Sequence, residues 1–172
     1  MALMPITEAL QRVLAGARAL PSETVALNDA LGRVLTEDVM ALRTQPPAAV
    51  SAMDGYAVRS ADVGQAPVTL KLIGEVAAGH PFDGKVSAGQ AARIFTGGLM
   101  PHGADTVVIQ ELATRNGDSV TFETPTAKGR NVRDQGIDFA KDQVLLRAGH
   151  RLTGRDLMLA AAMNHPRLSV HR

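Results

Sequence analysis

The stretch SAMDGYAVR at residues 51–59 holds the residue best suited to chemistry, a carboxylate beside a glycine. Asp54 and Gly55 follow a proline-containing loop at residues 44–50, and such a turn displays a carboxylate at the surface. Asp54 could bind a divalent cation or accept a proton, and Gly55 would let a substrate approach the backbone closely. The alternative is an ordinary Asp-Gly turn with a local backbone hydrogen bond, and spacing alone favours it.

A second segment, RIFTGGLMP at residues 93–101, ends a predicted strand with Thr96, Gly97 and Gly98. Consecutive backbone N–H groups in such a loop can form an anion-binding nest. The spacing of a nucleotide-binding P-loop is absent. A plain strand-to-loop turn is the alternative, and the residues alone favour it.

The glycine-containing loop at residues 127–138 carries three basic side chains, Lys128, Arg130 and Arg133. Arginine can hold a phosphate or another oxyanion through its bidentate fork. Asp134 and Asp138 lie close enough in sequence to neutralise the cluster, so a solvated loop is the competing interpretation. Arg133 and Asp138 are kept as candidate ligand contacts.

Histidine and cysteine usage argues against zinc sites and hydrolase triads. The chain has no cysteine, which excludes disulfides and thiolate metal ligands and fits a reducing compartment. The histidines are scattered beside glycine or proline or near a terminus, with neither H-E-x-x-H spacing nor a Ser-His-Asp order. We expect surface loop positions for all of them, namely His80, His102, His150, His165 and His171.

Composition predicts a folded protein that binds neither nucleic acid nor membranes. Of 172 residues, 45% are hydrophobic, enough for one sizeable core or two small ones. Aromatic residues make up only 3%, and the net charge is +1, so neither a base-stacking platform nor a basic surface is expected. The longest apolar stretch, residues 157–163, is too short to span a bilayer, and no signal peptide precedes it. The simplest expectation is a soluble cytoplasmic protein.

Two amphipathic helices are predicted near the ends of the chain. Thr7 can cap the first, which Pro21 closes. Thr153 and Asp156 have the spacing of a capping box that opens the second, which ends before Pro166. The apolar faces are formed by Leu10, Val13, Leu14, Ala17 and Leu20 in the first helix and by Leu157, Ala160 and Ala161 in the second.

The middle of the chain has the pattern of a small β domain. Strands are predicted at residues 68–76, 90–95, 106–114 and 119–123, and Asn116-Gly117 favours a hairpin with a type I′ turn and an exposed tip. Short extended segments are predicted at residues 23–27, 35–41, 143–146 and 167–170, with a helical turn at residues 28–34. These elements predict an α+β, β-rich fold in which a discontinuous first subdomain contains an inserted second one.

Four motifs in this order resemble the molybdopterin molybdenumtransferase family, which includes MoeA and the gephyrin E domain. They are SAMDGYA at residues 51–57, R-I-x-T-G-x-x-x-P at 93–101, G-A-D-x-V-V-x-Q-E at 103–111 and N-x-R-x-x-G-x-D at 131–138. The resemblance runs through nearly the whole chain. It implies an elongated dimerisation subdomain at residues 1–44 and 141–172 and an inserted β-barrel-like subdomain at residues 45–140.

The resemblance also implies a function and its residues. Members of the family insert molybdate into adenylated molybdopterin with the help of Mg²⁺, in a cleft between the second domain of one subunit and the third domain of the other. Asp54 and Thr96 match the residues that face that cleft, and the resemblance implies that both are catalytic. Asp54 would orient the metal or a water molecule, and Thr96 with the Gly97 and Gly98 amides would position a phosphate or molybdate oxygen. Ser51, Gly97, Gly98, Arg133 and Asp138 match neighbouring substrate contacts.

The expected partners are a second copy of the chain, the pterin substrate and other proteins of molybdenum cofactor biosynthesis. Full-length members continue beyond the position of Arg172 into a third domain that binds pterin and molybdate. The chain is therefore expected to be the N-terminal half of such an enzyme and to contribute one wall of a shared active site. The alternative is a non-catalytic dimerisation and docking module.

Overall fold

A computed structural model describes residues 4–172 and consists mostly of strands with few helices. The predicted α+β, β-rich class is confirmed. The strands are β1 Ser22–Ala26, β2 Val39–Met40, β3 Val50–Ser51, β4 Gly55–Val58, β5 Val68–Val76, β6 Gln90–Ile94, β7 Thr106–Ile109, β8 Ala113–Asn116, β9 Ser119–Phe122, β10 Val132–Arg133, β11 Val144–Leu146 and β12 Arg167–His171. The helices are α1 Ile6–Leu14, α2 Ser60–Val63 and α3 Gly154–Ala162, with 3-10 turns at Leu27–Asp29 and Gln110–Leu112.

The chain divides into two compact units. Unit 1 combines residues 1–42 with residues 141–172, and unit 2 is the continuous segment of residues 43–140. Within residues 4–172, none of the helices combines the length and apolar character that a membrane span requires.

Unit 2 is built on a curled six-stranded sheet with the strand order β7-β4-β6-β5-β9-β8. Only β5 and β6 run parallel, and the other neighbours are antiparallel. Successive residues of a strand point to opposite faces, so Tyr56 packs with Phe122 on one face while Ala57 packs with Ile94 on the other. Because both faces are covered, every residue of β4 is buried.

Unit 1 contains two short antiparallel pairs, β1 with β12 and β2 with β11, together with α3. The predicted capping box opens α3: the Asp156 carboxylate accepts hydrogen bonds from the Thr153 N–H at 2.7 Å and the Thr153 hydroxyl at 2.6 Å. Helix α3 buries Ala160, whereas Ala161, predicted on the apolar face, is exposed. The strand predicted at residues 167–170 is β12.

Helix α1 is shorter than predicted. It begins after Pro5 and ends at Leu14, six residues before Leu20, so the prediction that Thr7 caps it is wrong. Pro5 precedes the helix with its φ already fixed at −57°, a value that suits the first helical turn. Gly16 disfavours continuation, and no residue of α1 is buried, so no packing within the described chain extends it.

The strand predicted at residues 106–114 is interrupted, and β7 and β8 are separate strands joined by the turn Gln110–Leu112. The two strands pair with different partners, β7 with β4 and β8 with β9, at opposite ends of the sheet order, so the chain must leave the first strand before it forms the second. The β8–β9 hairpin is present with an exposed tip. Its loop residues are Gly117 and Asp118, however, and only Gly117 has a positive φ, +57°, so the type I′ turn is wrong and the pattern is that of type II′.

Candidate functional site

Asp54 and Thr96 are in direct contact although they lie 42 positions apart in the sequence. The Asp54 Oδ1 accepts one hydrogen bond from the Thr96 N–H and a second from the Thr96 hydroxyl, both at 2.8 Å. The sheet produces this meeting, because Gly55 at the start of β4 pairs with Ile94 at the end of β6. The two loops that adjoin this pair carry Asp54 and Thr96.

These contacts keep Asp54 ionised. The backbone hydrogen bond from Thr96 lowers the pKa of the carboxyl below its ordinary value, and the Thr96 hydroxyl and the nearby Arg93 charge lower it further. The second carboxylate oxygen, Oδ2, accepts no hydrogen bond from the residues that the structure describes. An ionised oxygen with free lone pairs can bind a cation or orient a water molecule.

Position 55 requires glycine because the neighbouring strand β7 packs directly against it. A Cβ atom at this position would lie 2.1 Å from the carbonyl oxygen of Val108 on β7, a distance that no side chain tolerates. The backbone that approaches Gly55 closely is therefore the neighbouring strand, and the expectation that a substrate does so is wrong.

The loop at residues 96–98 is a strand-to-loop turn, the alternative that the residues alone favoured over an anion nest, because its N–H groups already have acceptors within the protein. The Gly97 N–H donates to the Ser51 carbonyl and the Gly98 N–H to the Phe95 carbonyl, each at 2.9 Å. The Thr96 N–H is bound to Asp54. Gly97 has a φ of +80°, which explains the glycine there, while a Cβ at Gly98 would crowd the Phe95 carbonyl at 2.9 Å.

Ser51 is 1% exposed and does not present its hydroxyl at the surface. The hydroxyl donates to the Met53 carbonyl at 2.6 Å, and the Ser51 N–H donates to the Gly98 carbonyl at 2.9 Å. Ser51 therefore shapes the turn that leads to Asp54. This placement removes the basis for a direct substrate contact through the hydroxyl.

Arg133 and Asp138 line one cavity with Gly97, and its volume is about 370 Å³. Strand β10 brings Arg133 there by pairing with β3, where Arg133 lies opposite Val50. Neither the guanidinium nor the carboxylate forms an ion pair with another described residue. Gly97 lines this cavity and directly follows Thr96 in the sequence, so the cavity lies beside the loop that holds Asp54.

The basic side chains of residues 127–138 do not form one anion site. The Lys128 ammonium lies 4.0 Å from the Asp105 carboxylate. Arg130 lines a different cavity, which includes Met53 and has a volume of about 470 Å³. Of this cluster, only Arg133 lies next to Gly97.

Sequence reasoning overlooked Arg93 and Gln110. The Arg93 guanidinium donates to the Gly55 carbonyl at 3.0 Å and to the Gln110 Oε1 at 2.6 Å. Both residues belong to motifs that were recognised, but a lone arginine within a predicted strand gives no sign of its cross-strand partners. The available signal was the strand register, which places Arg93 opposite Tyr56, two residues after Asp54.

The described residues contain no cluster of three or more His, Asp or Glu side chains that could hold a metal ion by themselves. Any cation at Asp54 would therefore have few protein ligands. Magnesium is commonly bound in this way, through one or two carboxylates together with water and substrate phosphates. Asp54 therefore fits a magnesium ion whose other ligands are water and substrate oxygens.

Comparison with known proteins gives a consistent result. The family model described as the MoeA N-terminal region, domains I and II, matches residues 4–164. A molybdopterin molybdenumtransferase from Haemophilus influenzae is 37% identical over 155 residues, which are 88% of this chain and 38% of the relative. One from Staphylococcus aureus is 32% identical over 171 residues, 97% of this chain and 41% of the relative.

Solved structures agree with the sequence comparison. A molybdopterin biosynthesis moeA protein from Pyrococcus horikoshii superimposes with a TM-score of 0.92 at 36% identity, covering 98% of this chain and 46% of that protein. The chain thus spans about two fifths of the length of the curated relatives it matches.

Proposed function

Because this chain belongs to the family of the MoeA N-terminal region, domains I and II, we propose that it forms one wall of the active site of a molybdopterin molybdenumtransferase. The reaction would insert molybdate into adenylated molybdopterin with release of the nucleotide. The observation that carries the proposal is the Asp54–Thr96 pair. A carboxylate that is held by two hydrogen bonds, and whose other oxygen is open, suits a reaction among phosphate and molybdate oxyanions.

In this proposal Thr96 fixes the Asp54 carboxylate through Oδ1, and the open Oδ2 holds Mg²⁺ or a water molecule. Bound there, Mg²⁺ would neutralise negative charge on the oxyanions that must approach each other. Thr96 has no ionisable group and acts only by orienting Asp54.

Arg133 and Asp138 would bind the substrate beside this pair. The unpaired Arg133 guanidinium can hold a phosphate oxygen through its fork, and Asp138 can accept hydrogen bonds from amino groups of a pterin. The cavity that these residues share with Gly97 is about 370 Å³ in volume, within the range of small-molecule sites.

The decisive experiment replaces Asp54 with Asn, which removes the charge and keeps the shape. We expect molybdate insertion, followed by nucleotide release and by the metal content of the product, to slow by about 100-fold. Asp105→Asn is the matched control, because the Asp105 carboxylate accepts hydrogen bonds from the Ser60 N–H at 2.7 Å and the Ser60 hydroxyl at 2.9 Å. The control should retain normal insertion, and normal insertion by the Asp54 variant would overturn the proposed role.

The same assay separates the two candidate functions. The chain is tested alone and after mixing with the separately produced segment of a related enzyme that follows the matched region. Insertion only on mixing supports a shared active site, whereas insertion by the chain alone would place the whole site within these residues. Silence in both cases would favour the dimerisation and docking module.

We propose further that the protein is a homodimer of the cytoplasm and that it contacts other proteins of molybdenum cofactor biosynthesis. The absence of cysteine supports a reducing compartment. Unit 1 exposes large apolar side chains, a property of protein interaction surfaces, including Ile6, Val13, Leu31 and Met158. Sedimentation equilibrium in the micromolar range is expected to give twice the chain mass, and a monomer would contradict the dimer.

A further inference from the structure

Arg93 lies between two aromatic rings next to the Asp54 turn. Its guanidinium carbon is 5.2 Å from the centre of the Tyr56 ring and 4.6 Å from that of Phe95. Tyr56 is the cross-strand partner of Arg93. Phe95 follows Arg93 by two residues, just after the end of β6, so its side chain points to the same face as that of Arg93. Such stacking restricts the guanidinium to one plane, because a cation prefers the faces of aromatic rings.

The nitrogen atoms of Arg93 then bind both sides of the turn. One guanidinium nitrogen donates to the Gly55 carbonyl at 3.0 Å, and another donates to the Gln110 Oε1 at 2.6 Å. The Gln110 N–H donates in turn to the Asp54 carbonyl at 3.1 Å. These hydrogen bonds close a ring that contains the Asp54–Gly55 peptide unit, so both carbonyls of that dipeptide are fixed.

The strand that carries Arg93 also carries Thr96, three residues later, and Thr96 holds the Asp54 carboxylate. Arg93 is therefore linked to Asp54 by two routes, through the turn and through its own strand. Such an arrangement fixes a side chain that the arginine does not touch.

We propose that Arg93 is a positioning residue that holds the Asp54 turn against Gln110 and so aims the Asp54 carboxylate at Thr96. This inference deepens the proposed function and rests on it for the effect on catalysis. The position of the Asp54 carboxylate can be tested without it. Loss of the Arg93 charge raises the Asp54 pKa by itself, whereas a purely structural role of Arg93 would leave the Thr96 amide proton where it is. The Thr96 amide is therefore the decisive readout.

The other charged groups near Arg93 do not compete for it. Glu75 lies opposite Arg93 on β5, and Arg115 and Asp118 come from the β8–β9 hairpin. None of them forms an ion pair with Arg93 among the described residues. Glu111, beside Gln110, accepts from the Gln110 side chain at 3.3 Å, and Arg130 lines the cavity on the other side of the turn that includes Met53.

The test is the proton chemical shift of the Thr96 amide in the 172-residue chain, which reports the length of its hydrogen bond to Asp54, and a carboxyl NMR titration of Asp54 is recorded beside it. In Arg93→Gln, we expect the Asp54 pKa to rise towards its ordinary value and the Thr96 amide proton to move upfield as its hydrogen bond lengthens. Near-ultraviolet circular dichroism and the amide spectrum show whether the variant is folded. A folded variant in which the Thr96 amide proton is unchanged would overturn the proposal, whatever the Asp54 pKa does.

Arg115→Gln is the matched control. It removes a guanidinium from the same cavity as Arg93, but the Arg115 Nε donates only to the Gly117 carbonyl at 3.1 Å, at the hairpin tip. Both Asp54 readouts should stay at their wild-type values. A shift as large as that in Arg93→Gln would mean that net charge alone is responsible, which would contradict the proposal.

Arg93→Lys separates charge from geometry and remains informative if Arg93→Gln fails to fold. Lysine keeps the positive charge but cannot bind two acceptors in a plane or stack as a guanidinium does. We expect the pKa to recover in part and the Thr96 amide proton to stay displaced. Recovery of both readouts would show that a charge suffices and would contradict the positioning role.

The catalytic consequence is measured separately. Loss of a residue that orients a catalytic ligand typically costs about 10–100-fold in activity, and we expect the loss in Arg93→Gln to fall on kcat with KM little changed. If wild-type protein inserts no molybdate, the proposed function fails, while the Thr96 amide shift still decides the role of Arg93. If Arg93→Gln changes KM alone, the residue binds substrate and does not position Asp54.

Discussion

At the scale of single residues, the Asp54–Thr96 contact consists of two hydrogen bonds, one from a backbone donor and one from a side-chain donor. Both donors bind the same oxygen, Oδ1, at 2.8 Å. The backbone N–H survives any substitution of Thr96 other than proline, whereas the hydroxyl can be removed. The contribution of each donor can therefore be measured.

We predict that Thr96→Ala raises the Asp54 pKa, because one of the two hydrogen bonds that favour the ionised form is lost. Hydrogen bonds to charged groups contribute about 1.5–3 kcal/mol, so molybdate insertion should slow by about tenfold or more. Thr96→Ser keeps the hydroxyl and should stay close to wild type in both measurements. A serine variant as impaired as the alanine variant would show that the methyl group matters instead.

Sequence reasoning identified Asp54 and Thr96 through family motifs but could not show that they touch. Their contact depends on the pairing of Gly55 with Ile94, which is a tertiary property. The glycine-rich loop shows the same limit. Its spacing left an anion nest open as an alternative, and the acceptor of the Gly97 N–H, the Ser51 carbonyl, lies far away in the sequence.

At the scale of elements, patterns that are complete within a short segment were predicted well. The strand at residues 68–76 coincides with β5, and the capping box at Thr153 and Asp156 is present. The strand predicted at residues 106–114 failed because its two halves pair with different strands, β7 with β4 and β8 with β9, and those partners lie far away from each other in the sequence. Helix α1 ended early because nothing in the described chain packs on it.

The capping box of α3 should make stability depend on pH. Hydrogen bonds from the Thr153 and His150 side chains lower the pKa of Asp156 from 3.8 to about 2. Because the folded pKa is depressed, the stabilisation is complete above the unfolded value of 3.8 and is lost as the pH falls towards about 2. Asp156→Asn should therefore be less stable than wild type at neutral pH, and the difference in unfolding midpoint should shrink across that window.

Glu37→Gln is the control for this titration, since it removes an exposed carboxylate outside the capping box. Its unfolding midpoint should follow that of wild type at every pH. A difference between wild type and Asp156→Asn that stays constant down to about pH 2 would contradict the role of the ionised carboxylate.

At the scale of the molecule, the sheet of unit 2 supports the site from two packed faces. Phe122 is fully buried on one face, and its ring centre lies 5.8 Å from that of Tyr56 at an angle of 70°. Tyr56 also lies under the Arg93 guanidinium. The packing of this face and the position of the Asp54 turn are thus connected through one aromatic side chain.

We predict that Phe122→Ala lowers the free energy of unfolding by about 3–5 kcal/mol, the usual cost of removing a buried phenylalanine. Leu112→Ala, at a side chain that is 44% exposed, should cost within about 0.5 kcal/mol. Urea unfolding followed by circular dichroism measures both. Equal losses in the two variants would show that the Phe122 side of the sheet is not a close-packed core.

The contact between Gly55 and the Val108 carbonyl has a consequence for mutational genetics. Every missense codon at position 55 adds a Cβ atom within 2.1 Å of that oxygen, so each such allele should lower the cellular abundance of the protein. At position 54, a change to asparagine should leave abundance intact and remove activity alone. A saturation scan read once for abundance and once for activity would therefore separate two adjacent residues that look equally intolerant when only activity is scored.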